Sequence, residues 1–333
     1  MPGSQNHRSV VATLLALLAI GAALPSSSTA GDPATAEEFF RRGCQRSEDG
    51  QLKGALADLT EALRLDPRKI EAWVVRAITR AKTGDTDGAI SDWGEVIALE
   101  PKNPKPLLNR GWLRFKKKGE IDAALKDFDE AIKLDPAFVR AFTNRGLVRR
   151  AKGDLAGAAT DFAEAVKLDP KDGMSRWNRA VLEYWRMEFK RALELSVEMH
   201  AAGMDEFWRD YAAIFATLCR VRLGEEELVT PELRETFKGR DGKAAGQWTA
   251  SIAAFLRGDL TEAEFLKLKD AGEGHEAKDQ ACQGWFYAAS VRLAAGDKVM
   301  AKDYFEKCVA TEVKGFDEFE LAKVELVRLK KDK

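Results

Sequence analysis

Small and large apolar residues recur along this chain at a fixed beat. Ala55 stands four residues before Leu59, Ala89 before Trp93, Ala124 before Phe128, and Ala158 before Phe162. A further small residue follows three positions on at Ala62, Ala131 and Ala165, with Val96 in the second instance. Spacings of three and four put these side chains on one face of an α-helix. Upstream of each pair lies a glycine turn: Gly50-Gln51, Gly84-Asp85, Gly119-Glu120 and Gly153-Asp154. Downstream, each run closes on Leu-Asp-Pro or Leu-Glu-Pro, with prolines at Pro67, Pro101, Pro136 and Pro170. Glycine accepts the left-handed conformation that ends one helix, and proline stops the next because it lacks a donor and biases its predecessor away from α. The pattern predicts antiparallel helix pairs, repeated at intervals of 34, 35 and 34 residues.

A 34-residue helix–turn–helix period with these small, large and proline positions resembles the tetratricopeptide repeat. The resemblance implies an all-α, right-handed superhelical solenoid of antiparallel helix pairs. The spare residue of the third unit is expected within Lys116–Lys118, at its inter-helix turn. Asn178-Arg179-Ala180 repeats Asn109-Arg110-Gly111 and Asn144-Arg145-Gly146, so a fifth unit begins near Gly173, with Met187-Glu188 as its turn and Ala192 after it. Beyond Gly203 the pattern loosens. Helices are expected over Phe207–Leu223 and Ala244–Arg257, with an irregular segment over Glu225–Lys243 between them. Thr261 and Glu264 are placed as a capping box. A last unit runs from Cys282 through Gly296-Asp297, Ala301 and Phe305, and a capping helix spans Phe316–Lys330. The expected organisation is 1–30 as a secretory signal peptide, 31–35 as a linker, 36–203 as five repeats, and 204–333 as degenerate helical repeats.

The signal peptide rests on Arg8, an apolar run from Val10 to Leu24, and small residues at Ser28-Thr29-Ala30. That run is short for a membrane span, which needs about 20 residues. The expected product is exported, periplasmic or secreted, and not stably inserted in a membrane after cleavage. No cysteine near the cleavage region offers a lipid anchor. From Trp248 to Leu329 the chain also resembles the C-terminal half of a bacterial group of exported repeat proteins, the relatives of an outer-membrane adaptor lipoprotein of cell-wall hydrolases. The matching stretches are Trp248 with Phe255–Thr261, Cys282 with Phe286-Tyr287, and Phe316 with Glu318-Phe319. The resemblance implies an envelope adaptor without catalysis, although Thr249 stands where that group has proline.

Composition narrows the function. A 333-residue chain with formal net charge −1 has no basic excess for nucleic acid. Its three histidines, His7, His200 and His275, are too scattered for a metal site or a hydrolytic triad. No phosphate-cradling glycine loop, Gly-x-Ser-x-Gly elbow or Cys-x-x-Cys pair occurs. No cofactor, metal or enzymatic activity is therefore expected, and the acids on the helices read as solvated faces.

What remains is protein binding. In the frame set by the prolines, the first helices direct Asn109, Trp112, Phe115, Asn144, Leu147, Arg150, Trp177, Asn178, Val181, Tyr184 and Trp185 into a concave groove, with Arg140 one turn earlier. Aromatic rings supply buried area, amides bond to backbone and guanidiniums meet carboxylates, which suits a protein or peptide partner. The competing reading is that the same residues stabilise packing between repeats. Arg76, Arg110, Arg145 and Arg179 recur beside the small residue of each first helix, either as a basic ladder or as snorkelling partners of acids in the neighbouring unit. Cys282 and Cys308 fall at adjacent ends of one helix pair. A disulfide there would close a loop of 26 residues and stabilise by about 3 kcal/mol, and two buried thiols are the alternative. Cys44 and Cys219 lie in distant units. Self-association into a homodimer through the C-terminal repeats is the alternative to partner binding.

Overall fold

A computed structural model describes residues 35–225, 230–242, 247–269, 274–313 and 316–331. The expected signal peptide and most of the linker lie outside those residues. The described residues form 17 α-helices and no strand. The chain divides into two compact units, Met1–Lys152 and Gly153–Lys333.

Unit 1 contains α1 (Ala36–Glu48), α2 (Leu52–Leu65), α3 (Ile70–Thr83), α4 (Thr86–Leu99), α5 (Pro104–Leu113), α6 (Ile121–Leu134) and α7 (Val139–Lys152). Their starts are written locally. Thr35 and Glu38 form a reciprocal capping box on α1, Asp85 caps α4, and Asn103 caps α5 ahead of a proline at its first position. The small residues let each pair close up. At Gly111 an added Cβ would stand 3.0 Å from the Phe128 ring and 3.1 Å from Asp127 Cβ, so α5 and α6 meet there closely enough that even alanine would need its neighbours to give by a few tenths of an ångström. The extra residue of the third repeat is absorbed by a π-helical turn over Arg114–Lys118 that continues α5. A π turn carries one residue more than an α turn. It begins two residues before the expected lysines because the widened ring runs from the Gly119 N–H back to the Arg114 carbonyl, and the Glu120 N–H closes the cap on the same carbonyl at 2.9 Å.

The acids on the second helices correct the expectation of solvated faces. Asp58, Asp92 and Asp127 are buried, each held by two arginines one turn apart on the preceding helix. Arg76 donates through Nε and Nη2 to the two oxygens of Asp92 at 3.0 and 2.8 Å, and Arg80 adds a 2.6 Å bond. Arg110 and Arg114 hold Asp127 in the same way, as Arg42 and Arg46 hold Asp58. The arginine ladder is thus structural, but Arg76 and Arg110 find their acid in their own helix pair rather than in the neighbouring unit. Of the ladder arginines, Arg145 reaches an acid of the preceding repeat, Asp129, at 2.7 Å.

Unit 2 opens with α8 (Leu155–Leu168), α9 (Gly173–Trp185) and α10 (Phe189–Ala201). At the turn between α9 and α10, Met187 takes φ 65°, the left-handed conformation that glycine supplies elsewhere. Then come α11 (Glu206–Leu223), α12 (Pro231–Thr236), α13 (Trp248–Arg257), α14 (Glu262–Leu268), α15 (Gly274–Ala294), α16 (Lys298–Ala310) and α17 (Asp317–Lys331). The segment expected to be irregular holds α12, capped by Thr230 with Pro231 at its first position, and it buries Leu233 and Phe237. Within the helix expected from Ala244, the described residues place the start at Trp248, while 243–246 lie outside them. The Thr261–Glu264 capping box forms as expected. Cys282 and Cys308 are fully buried and free, with their sulfurs 3.5 Å apart.

The cores of the two units differ. Unit 1 has three separate apolar clusters strung along its repeats, whereas unit 2 merges one cluster from Trp177 to Leu329. The last helix is part of that cluster. α17 buries Phe319, Leu321, Ala322 and Leu329, together with Glu318 and Glu325. Gln283 on α15 donates to Glu318 at 2.9 Å, and the Tyr287 hydroxyl lies 3.4 Å from the same oxygen. Burial, reinforced by the neighbouring Asp317, pushes the Glu318 carboxyl above its ordinary range.

Two measurements follow from this packing. Asp92→Ala strands a buried guanidinium and should lower the unfolding free energy by about 3–5 kcal/mol. Asp129→Ala removes an exposed partner and should cost less than about 1 kcal/mol. Equal losses in urea midpoints would show that the buried clamp is not special. Glu318 binds its proton more tightly when folded, so its contribution is present below the ordinary carboxylate value near 4.5 and is lost as pH rises through the elevated one. Glu318→Gln keeps the acceptor without the charge. It should therefore raise the melting temperature at pH 7 and leave it unchanged at pH 4. The same increment at both pH values would contradict that account.

Candidate protein-binding face

The clamps fix how each first helix turns against its mate, and so which residues face away from it. In unit 1 the outward face of α5 carries Asn109, Trp112 and Phe115, and that of α7 carries Asn144, Leu147 and Arg150, all half-buried. Arg140 is exposed. Trp112 and Phe115 rest on the cluster of Leu107, Leu108 and Phe128. Their rings stand 5.9 Å apart at 57°, leaving part of each to solvent. The Lys116 ammonium lies over both, 5.4 Å from the Trp112 ring and 5.9 Å from Phe115. A cation held over a ring face is favourable and keeps positive charge beside an apolar surface.

The sequence reading missed two contributors on α3. Ile78 occupies the position of Trp112 one repeat earlier, and Val74 that of Leu108. Both are half-buried and pack beside the cluster of Trp93 and Val96. The 34-residue offset that identified Trp112 identifies Ile78 as well. It carries no ring or amide, so it did not stand out.

In unit 2 the expected groove residues have another role. Trp177 is 8% exposed, and its indole N–H donates to Asp317 on α17 at 2.7 Å. Tyr184 is 1% exposed, and its hydroxyl donates to Glu325 at 3.1 Å. Their rings pack on Phe215, with centroids 4.9 and 5.4 Å away. The Tyr184 phenol is pushed well above its ordinary value, first by burial and then by the Glu325 charge. Asn178 is buried and bonds to the Met174 carbonyl of its own helix, and Val181 is buried too. Trp185 is half-buried. For Trp177 and Tyr184 the open-groove expectation is therefore corrected. α17 runs over them because its acids satisfy the indole and phenol donors while its apolar face completes the core. Among these site residues, the ones left accessible to a partner are chiefly those of unit 1.

Among the described residues no cluster of His, Cys, Asp and Glu could hold a metal ion, and no helix is long and apolar enough to cross a membrane.

Comparison with known proteins agrees with this geometry. The tetratricopeptide-repeat family model matches residues 40–104 and 113–173. A crystal structure of a tetratricopeptide repeat protein from Parabacteroides merdae superimposes with TM-score 0.55 at 17% identity, over 87% of this chain and 98% of that one. PilW, described as a type IV pilus biogenesis factor, gives TM-score 0.49 at 15% identity, over 61% and 93%. PilF of Pseudomonas aeruginosa gives 0.48 at 18%, over 61% and 90%. At these identities the likeness to the first concerns the fold alone. No curated protein sequence matches the chain. With its period, its in-register helix pairs and the matching family model, the stretch from residue 40 to 173 is built of tetratricopeptide repeats.

Proposed function

We propose that this chain is an exported, non-catalytic scaffold that holds segments of partner proteins against the first-helix face of unit 1. The observation that carries the reading is the half-open Trp112–Phe115 pair under Lys116, on a face that also holds Asn109 of α5 and Asn144 and Arg150 of α7. Rings of this kind supply the area, and the flanking polar groups the direction, of a peptide interface. Export is supported by the signal-peptide layout of the first thirty residues, and an envelope role by the resemblance of Trp248–Leu329 to exported adaptors. Self-association through unit 2 is the weaker reading. Its large apolar residues are mostly consumed in one core, and exposed ones such as Phe207 on α11 and Val299 on α16 stand on different helices.

A photo-crosslinking residue at position 112 should give discrete adducts in native envelope fractions, and one at position 126, on the second helix α6, should not. Equal labelling from both, or from neither, counts against the face. The two tryptophans should also separate. Trp112→Ala should abolish capture at little cost in stability, whereas Trp177→Ala should lose about 3–5 kcal/mol through its cavity.

We further propose that export leaves Cys282 and Cys308 bonded. Two thiols already in contact would lose two protons and two electrons to a disulfide-bearing oxidant as the sulfur–sulfur bond forms. Intact mass should then rise by about 2 Da on reduction. Two alkylatable thiols in unreduced, denatured protein would refute the bond.

A further inference from the structure

We infer that the segment held by unit 1 is an amphipathic helix carrying acidic side chains among the apolar residues of its docking face. The inference rests on the reading above, that the α3–α5–α7 face holds a protein segment.

The molecule already shows how such a face is filled. In unit 2 a helix lies across first helices of the repeat series. α17 meets α9 through Asp317 and Trp177, and again through Glu325 and Tyr184. Glu325 also lies 3.4 Å from Arg222 on α11, and Glu318 accepts from Gln283 on α15. Between these acids Phe319, Leu321 and Ala322 are buried, and Leu329 is buried one turn beyond Glu325. Asp317 and Glu325 are eight residues apart, about 12 Å along a helix at 1.5 Å per residue. The covering element is therefore apolar, with carboxylates placed two turns apart that accept from the face beneath.

Trp177 and Tyr184 are the fifth and twelfth residues counted from the start of α9. The same positions hold Val74 and Ala81 on α3, Leu108 and Phe115 on α5, and Thr143 and Arg150 on α7. Unit 1 thus repeats the apolar ground, and at the place of one phenol donor it sets a guanidinium. The borders are cationic as well. The thirteenth positions of α3 and α5 are Lys82 and Lys116, and the second positions of α5 and α7 are Lys105 and Arg140, against a single acid, Glu71, on α3. A carboxylate that accepts from the neutral Tyr184 hydroxyl in unit 2 would meet the Arg150 guanidinium at the equivalent place in unit 1, the stronger kind of hydrogen bond. An acidic extended strand would satisfy the charges. It would not supply the continuous apolar ridge that α17 lays between its acids. A second copy's α17 is disfavoured, because removing that helix leaves the Trp177 and Tyr184 donors and the apolar core of unit 2 uncovered.

The test uses the full chain and two fluorescein-labelled helical peptides. One has leucine and phenylalanine along one face, with glutamates on that face two turns apart. The other replaces those glutamates by glutamine. Fluorescence anisotropy should show the acidic peptide binding at least about tenfold more tightly. That preference should shrink as salt is raised and disappear in Arg150→Glu. Lys116→Glu, at an exposed position, serves as a second variant, and circular dichroism checks that both fold. Equal binding of the two peptides would overturn the acidic preference. Binding untouched by either unit 1 variant but weakened by Tyr184→Phe would mean that the peptide displaces α17, and would overturn the location. A concentration-dependent dimer that the acidic peptide dissolves would assign the face to a second copy and overturn the proposal. If neither peptide binds while crosslinking from position 112 persists, the helix inference falls and the scaffold reading stands. If both fail, both fall.

Discussion

The feature on which the rest depends is a buried carboxylate gripped by two arginines. Three repeats of unit 1 place an aspartate immediately before the large apolar residue of the second helix, and arginines one turn apart on the first helix close on it. Apolar packing alone would let two amphipathic helices slide or roll by a few degrees at small cost. A fork-shaped bond to a single carboxylate would not, since its geometry is directional and its failure leaves a charge in the interior. The clamp therefore fixes the roll of each first helix. Once the roll is fixed, the ninth and twelfth positions must face outward. Trp112 and Phe115 are half-exposed because Arg110 and Arg114 are occupied on the other side.

The π turn shows the same constraint under stress. An extra residue in α5 would rotate everything after it by about 100° if it were simply added to an α-helix. The widened turn absorbs it, and Arg114 still reaches Asp127 at 2.8 Å. The insertion sits past the residue that must keep its direction, where three lysines accept exposure.

Much of this was legible in the sequence because it is periodic. Prolines, glycine turns and small–large pairs announced the helix pairs of residues 36–203, and the spare residue was placed within two positions. The buried aspartates were equally periodic, at Asp58, Asp92, Asp127 and Asp161. They passed as solvated because carboxylates on helices usually are, and only the matching spacing of two arginines would have signalled otherwise. The role of Trp177 and Tyr184 was not legible. Their contacts are to residues 140 and 141 positions away, on a helix whose own sequence reads as an ordinary amphipathic cap. Nothing local announces that long-range partner. The short helix at Pro231 failed for a different reason: it is too brief to show a period, and its capping threonine and first-position proline were its signals.

The contrast between the units follows from what occupies equivalent positions. A first-helix face in a repeat array is costly to leave bare when it is aromatic, since each ring sheds area to water. Unit 2 answers by folding its own chain over the face. Burying Glu318 and Glu325 is the cost of that solution, offset by donors from Gln283 and Tyr184 and by the ion pair of Glu325 with Arg222. Unit 1 keeps its rings only half-open and surrounds them with lysine, arginine and asparagine, which hold water when the face is empty. Such a face is tolerable uncovered and is still able to take a cover. On the function proposed above, that combination suits a surface that takes a partner, whereas the equivalent face of unit 2 is completed by its own chain, and the two differ in the side chains at the fifth and twelfth positions of their first helices.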